Sequence, residues 1–276
     1  MNHAPPSLPV DQIAEDFLSA LEEHRQVPSL SARFSGFDLD TAYEVTASIR
    51  RRREARGERV IGRKIGFTNR TIWPEYDVYA PIWGYVYDTT VRDLAECVGL
   101  CKAGAFVEPR IEPEIVFELR AAPRAGMDER ELLSCIEWVA HGFEIVQSLF
   151  ADWKFSAPDT VAAFGLHGAC LIGPRRFISE DERDSWFGAL PAFEIDLLRN
   201  GAAVDHGLAA NVLNGPLSAL RHLVERLAGD PHNPPLHAGE IVSTGTLTRA
   251  FPIEAGQIWQ TEITGLPLDG ISLRLD

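Results

Sequence analysis

From Val60 onward the chain is a succession of short apolar runs broken by Gly and Pro. Helical periodicity interrupts them only twice. Runs of this kind read as strands, and they predict strands at residues 60–66, 83–88, 111–119, 141–148, 168–173, 192–199, 240–244, 257–263 and 271–275. Asn200-Gly201 carries the signal of a two-residue hairpin turn. One interrupting helix starts at Asp128-Glu129-Arg130-Glu131, a capping-box pattern, and takes in Leu132, Leu133, Ile136 and Val139. The other opens at Pro216, carries Leu217, Leu220, Leu223 and Leu227 on one stripe, and ends at Gly229. Strands and helices do not alternate, which argues against a doubly wound parallel sheet.

The residues before Val60 follow a different pattern. The first ten, with Pro5, Pro6 and Pro9, read as loose. Ile13, Phe17, Leu18 and Leu21 share a helix face over 11–25, with Asp11 as its N-cap and Pro28 beyond its end. A second helix follows Asp38 or Asp40, turns Ala42, Tyr43 and Ile49 inward, and stops near Gly57. The fold class is therefore α+β. A small helical N-terminal part, residues 1–75, precedes a strand-rich part, residues 76–276.

Composition narrows the partners. With 26 Lys+Arg against 40 Asp+Glu, the net charge is −14. That excess repels a phosphate backbone, so no nucleic-acid partner is expected. The one dense basic run, Arg50 to Arg53, reads as a solvated helix end. No stretch approaches the ~18–20 apolar residues of a membrane span, and the N-terminus shows neither a secretory leader nor a lipidation motif. Cys97, Cys101, Cys135 and Cys170 are too sparse for a disulfide scaffold and lack zinc-knuckle spacing. They read as reduced, buried thiols of a cytoplasmic protein. Phosphate loops, dinucleotide fingerprints and the nucleophile elbow are absent.

The chemistry concentrates in a few places. In the strand Ile111-Glu112-Pro113-Glu114-Ile115, Glu112 and Glu114 project to one face. Adjacent carboxylates repel unless a cation lies between them, and an all-oxygen set suits Mg²⁺ or Mn²⁺. An ordinary half-buried strand has the same pattern, since Ile111, Ile115, Phe117 and Leu119 point the other way. Glu144 lies among apolar neighbours, where it needs either a metal or one of the arginines. Only Lys64, Lys102 and Lys154 are lysines. Lys64 sits in a Gly-flanked apolar strand; it is either desolvated, with a lowered pKa fit for proton transfer, or a solvated edge residue. Lys154 beside Trp153 reads as a surface residue. The hydroxyls and backbone amides of Ser243-Thr244-Gly245-Thr246 form either a carboxylate-holding turn or simply a turn. His167, in Phe164-Gly165-Leu166-His167-Gly168, reads as a satisfied core histidine.

Six motifs occur in order: Gly62-Arg63-Lys64-Ile65-Gly66; Ile111 to Ile115; Glu144-Ile145-Val146; Ala151-Asp152-Trp153-Lys154 with Asp159-Thr160-Val161-Ala162; Gly215 to Leu220; and Ala238 to Thr246. Together they resemble the 2-keto-4-pentenoate hydratase / 2-oxo-3-hexenedioate decarboxylase branch of the fumarylacetoacetate hydrolase superfamily. The resemblance implies a mixed β-sandwich roll with a helical N-terminal part, assembled as a homo-oligomer. It implies Mg²⁺ or Mn²⁺ on Glu112, Glu114 and Glu144, Lys64 at the active site, and Thr244-Gly245 and Lys154 near substrate. Two stretches depart from the family pattern. Val78-Tyr79-Ala80-Pro81 stands where Val-Asp-Gln-Pro is usual, making Tyr79 a candidate substrate contact. Ala163-Phe164-Gly165-Leu166 replaces a polar run and brings in His167 as a candidate acid/base.

The resemblance thus implies a metal-dependent lyase acting on a small 2-oxo or 2-hydroxydienoic acid, first of all as a hydratase of aromatic catabolism. A 2-oxo-acid decarboxylase and an acylpyruvate C–C hydrolase are the enzyme alternatives. A non-catalytic oligomeric binding protein on the same fold is the alternative of another class.

Overall fold

A computed structural model describes residues 8–97 and 101–276; most of the opening read as loose, residues 1–7, lies outside them. Helices α1 (Val10–Glu22), α2 (Leu30–Arg33) and α3 (Leu39–Ala55) come first. Strand β1 (Val60–Gly66), the short helix α4 (Trp73–Tyr76), and strands β2 (Ile82–Tyr87) and β3 (Val91–Asp93) follow. Strand β4 (Arg110–Leu119) leads through α5 (Glu129–Ser134) to β5 (Ile136–Val146). Next are α6 (Ala157–Ala162), β6 (His167–Phe177), α7 (Arg183–Ala189) and the hairpin β7 (Glu194–Arg199) and β8 (Ala202–Leu208). The chain ends with α8 (Pro216–Ala228), β9 (Ile241–Thr246), β10 (Phe251–Pro252), β11 (Ile258–Thr264) and β12 (Ser272–Arg274).

Local signals account for several element ends. Asp38 caps α3, its Oδ1 accepting from the Thr41 amide at 2.9 Å. At α5 the capping box closes in both directions: Asp128 accepts from the Glu131 amide, and Glu131 accepts from that of Asp128. Asn200 and Gly201 both adopt positive φ, 53° and 79°, as a hairpin turn of this kind requires.

Three expectations need correction. Pro9, not Asp11, is the N-cap of α1; Asp11 sits in the first turn and accepts from Ser48 Oγ of α3 at 2.6 Å. Ile136 and Val139 are not helical. The α5 helix stops at Ser134, and these β-branched residues open β5, where the pleated surface suits them. The basic end of α3 is not simply solvated either. Its last turns pack on β2, so Arg53 is buried, paired with Glu58 and 3.8 Å over the Tyr87 ring, while Arg50 donates to Tyr85 OH.

An eight-stranded sheet runs β2-β1-β9-β4-β5-β6-β3, with β10 beside β4; a four-stranded sheet runs β12-β11-β7-β8. The β1–β9 and β3–β6 pairs are parallel and the others antiparallel. The large sheet is therefore mixed, and β1, although it falls within residues 1–75, is an inner strand of it. One apolar cluster joins the N-terminal helices and α8 to Ile115 and Phe117 of β4. A second packs Phe143, Ile145 and Leu171 against Leu197, Trp259 and Leu273 of the small sheet. A third, around Val116, Ala140, Cys170 and Ile172, lies on the strand face shared with Glu112 and Glu114. This is the mixed roll with a helical start. The four cysteines are free and buried, and among the described residues no helix is long and apolar enough to cross a membrane.

His141 ties the two sheets together. Its Nδ1 lies 3.0 Å from the Glu114 carbonyl and its Nε2 lies 2.9 Å from Thr261 Oγ1 on β11. A carbonyl only accepts, so Nδ1 donates and Nε2 accepts from the hydroxyl. Burial pushes this imidazole down to about 4, from an ordinary 6.5. Below pH 6.5 the unfolded chain takes up a proton that the folded one refuses, so stability falls as pH drops from 6.5 through 4. The expected loss is about 3 kcal/mol by urea unfolding, and His141→Gln should flatten that slope. An unchanged slope in the variant would assign the acid loss to other groups.

Candidate active site

Strand register assembles the site. In the β4–β5 pair Glu112 faces Glu144, and Glu114 faces Gly142. On the other side of β4, Thr246 of β9 faces Glu114; beyond it, Lys64 of β1 faces Ser243. Four strands thus bring Lys64, Ser243, Glu114, Glu112 and Glu144 together. One oxygen from each of Glu112, Glu114 and Glu144 falls within 4.8 Å of the other two.

Glu114 is tied down on one side only, and Glu144 is held by a different group on each side. Glu114 Oε2 accepts from Ser243 Oγ and from the Gly245 amide at 3.0 Å. Gly245 has φ +102°, and a Cβ there would come within 1.8 Å of Thr68 Oγ1, so no larger residue fits the turn. Thr244 Oγ1 donates to the Ile115 carbonyl and pins the same turn to β4. The Ser243–Thr246 cluster does hold a carboxylate, and it is the chain's own Glu114. Glu144 Oε1 meets His167 Nδ1 at 2.7 Å, and its Oε2 lies 3.0 Å from Lys64 Nζ in an ion pair. Lys64 also donates to the Gly165 carbonyl at 3.0 Å. Phe164, Gly165 and Leu166 all have φ between 61° and 64°, a left-handed turn that presents this carbonyl. Each non-glycine residue in it costs roughly 1–2 kcal/mol, a strain typical of functional sites.

The electrostatics are unbalanced toward negative charge. Burial alone would pull Lys64 down, as the sequence suggested, but Glu144, Glu112 and Glu114 outweigh it and hold the ammonium above its ordinary value. Burial pushes Glu112 up to about 7 and Glu114 well above the usual carboxylate range. Burial also acts on Glu144, but Lys64 and His167 overcome it and keep this carboxyl low. Glu114 Oε1 is buried without a hydrogen bond, and Glu144 Oε2 has only the Lys64 ammonium. One orphaned oxygen, one oxygen shared with Lys64, a third carboxylate and a single ammonium form a donor set that fits a hard divalent cation.

Lys64, Glu112 and Thr246 open onto a pocket whose other walls include Phe67, Ile72, Tyr76, Trp153 and Leu166. Not every candidate reaches it. Tyr79 is 61% exposed and packs edge-on against Trp73. Lys154 is exposed and pairs with Asp152 at 3.3 Å; its neighbour Trp153 is the pocket residue. His167 is buried behind Glu144, with Nε2 2.9 Å from Thr90 Oγ1, so neither ring nitrogen faces the pocket. Sequence reasoning missed Arg110, although strand alternation puts it on the face of Glu112 and Glu114. Arg110 donates to Tyr76 OH at 2.6 Å and lies 4.2 Å over Trp153. Tyr76 and Phe67 carried no signal, because a loop brings them to the pocket.

What the roll encloses is suited to holding a divalent cation beside a buried ammonium at the wall of a small pocket, the arrangement of a metal-dependent enzyme. Comparison with known proteins supplies the family. The family model described as fumarylacetoacetate (FAA) hydrolase C-terminal matches residues 101–268, and the chain belongs to the fumarylacetoacetate hydrolase family. It is 32% identical over 248 residues to 2-hydroxyhexa-2,4-dienoate hydratase of Comamonas testosteroni, covering 90% of each chain. To 2-keto-4-pentenoate hydratase of Paraburkholderia xenovorans it is 28% identical, covering 93% of this chain and 91% of that one. Among solved structures, 4-oxalocrotonate decarboxylase from Pseudomonas putida G7, complexed with magnesium and adipate, superposes with a TM-score of 0.86. Sequence identity there is 27% and both chains are covered completely.

Replacing Glu114 by Ala removes the orphaned oxygen, and calorimetric titration with Mn²⁺ should then show no binding. Unaltered affinity would take Glu114 out of the site.

Proposed function

We propose that the protein is a divalent-metal-dependent lyase that hydrates a small 2-hydroxydienoic or 2-oxo acid of aromatic-compound catabolism, with Glu112, Glu114 and Glu144 holding Mg²⁺ or Mn²⁺. The observation that carries this reading is the convergence of three buried glutamates beside a single buried lysine, with Glu114 Oε1 left without a hydrogen bond. A catalytically silent binding protein would have no need to keep so costly a cluster. When bound, the cation supplies Lewis acidity to the carboxylate and 2-oxygen of such an acid.

Lys64 is the proton carrier in this scheme. An ammonium has three donors. One is held by the Gly165 carbonyl, one points to Glu144, and the third is free for a substrate carbon in the pocket. Moving that proton interconverts dienol and ketone, the step that prepares the remaining double bond for water. Thr244 and Gly245 act through the turn that holds Glu114, and Thr246 of the same turn touches the pocket. Tyr79 and Lys154 are assigned to the rim, next to Trp73 and Trp153. The walls at Phe67, Ile72, Trp153 and Leu166 favour an uncharged substrate tail, which supports hydration.

Arg110 favours a second reading. Its contact with Tyr76 OH uses only one guanidinium nitrogen, leaving donors for a second carboxylate. A dicarboxylic 2-oxo acid held there would instead lose CO₂. Free buried thiols support a cytoplasmic setting, and exposed Phe177 and Leu208 support burial against further copies in a homo-oligomer.

A panel of 2-hydroxydienoic and 2-oxo acids with Mn²⁺, analysed by mass spectrometry, should give products that have gained water. Loss of CO₂ would establish the second reading, and no turnover of any member would defeat both. Lys64→Ala should keep Mn²⁺ affinity while kcat falls by about 10²–10⁴-fold; near-normal kcat would remove Lys64 from the mechanism.

A further inference from the structure

His167 opens β6 and is buried, and the residues after it, Gly168 to Pro174, are apolar or glycine. A buried imidazole in such surroundings needs partners for both nitrogens. It finds Glu144 Oε1 at 2.7 Å and Thr90 Oγ1 at 2.9 Å. An ionised carboxylate offers only acceptors, and the Lys64 ammonium beside Glu144 keeps it ionised. Nδ1 therefore carries the hydrogen and donates to Glu144. In the neutral ring Nε2 is then an acceptor, and the Thr90 hydroxyl donates to it at 2.9 Å in preference to the Tyr87 carbonyl, 3.2 Å away.

Thr90 is itself fixed. Its Oγ1 accepts from the Tyr87 amide at 3.2 Å, and its carbonyl accepts from the Cys170 amide at 2.9 Å. The turn between β2 and β3 is thus attached to β6 through both backbone and side chain. From this turn a chain of hydrogen bonds runs through Thr90 and His167 to Glu144.

We propose that Thr90 and His167 are positioning residues of the cation site: they secure Glu144 Oε1 so that Oε2 is left as its single ligand oxygen. This rests on the reading that the three glutamates hold a divalent cation. It makes Glu144 the counterpart of Glu114, whose Oε2 is occupied by Ser243 and Gly245 while Oε1 is left over. Two carboxylates restricted to one oxygen each leave positions open for a chelating acid. A Glu144 free to rotate would present both oxygens to the cation instead of keeping Oε2 alone on the side of Lys64.

The test is Mn²⁺ titration calorimetry without substrate, with thermal melting to check each fold. His167→Ala should weaken Mn²⁺ binding about 10–100-fold, the usual effect of losing a group that orients a ligand. His167→Asn keeps an N–H donor where Nδ1 stood and should recover most of that loss. Thr90→Val, which preserves shape without the hydroxyl, should weaken binding, and Thr90→Ser should not. A purely structural role would shift the melting temperature and leave affinity alone. If His167→Ala does not fold, the two Thr90 variants decide. Wild-type affinity in a folded His167→Ala or Thr90→Val protein would overturn the positioning role and leave the cation site standing. No Mn²⁺ binding by the wild-type protein would defeat the cation site itself, and this inference with it.

Discussion

Three carboxylates share one buried space with a single ammonium, and the rest of the roll is arranged around that imbalance. Like charges at such separations in a low dielectric are strongly unfavourable. Two of the acids respond by holding their protons more tightly, while Glu144, next to Lys64 and His167, stays ionised. A cluster of this kind opposes folding. The acids share their sheet face with the apolar cluster around Val116 and Ala140, and the opposite face of the same strands is packed into the two larger cores, which shows where the opposing burial is found.

The protein controls its acids by allocating their oxygens. Glu114 has one oxygen met by protein donors and one left over, Glu144 is shared between His167 and Lys64, and two of the contacts that set this pattern come from places where the backbone is unusual. Gly245 adopts a positive φ that brings its amide under Glu114, and the left-handed turn at 164–166 offers a carbonyl to Lys64. Stability alone would favour relaxing both features. Their persistence next to the acids fits a site in which geometry was held at the expense of local comfort.

Much of this was legible from the sequence because it is local. Alternation along one strand puts Glu112 and Glu114 on one face, Asn-Gly announces a hairpin, and Asp128 with Glu131 announces a helix start. Long-range register is a different matter. Ser243 reaches Glu114 across 129 residues of chain because β9 inserts between β1 and β4, and no periodicity encodes that neighbour. His167 was readable as a core histidine needing partners, but which carboxylate it meets follows from the β5–β6 pairing. Ile136 and Val139 were misread because a three-to-four spacing fits a helix and a buried strand edge alike, and only the length of the following run separates them.

The scarcity of lysine gains meaning from two neighbouring positions on β1. Arg63 and Lys64 are adjacent, so strand alternation sends them to opposite faces. Arg63 is fully buried, lies 4.0 Å over the Tyr85 ring and pairs with Glu240, a permanent charge held by stacking and hydrogen bonds. Lys64 points into the acid cluster, where a point charge with three rotatable donors can divide itself among a carbonyl, a carboxylate and the pocket. A planar guanidinium cannot make that division, and it does not release a proton at any working pH. Where the chain needs a charge that stays, it uses arginine. At the one inner position facing all three glutamates, it keeps a group that can both balance charge and give up a proton.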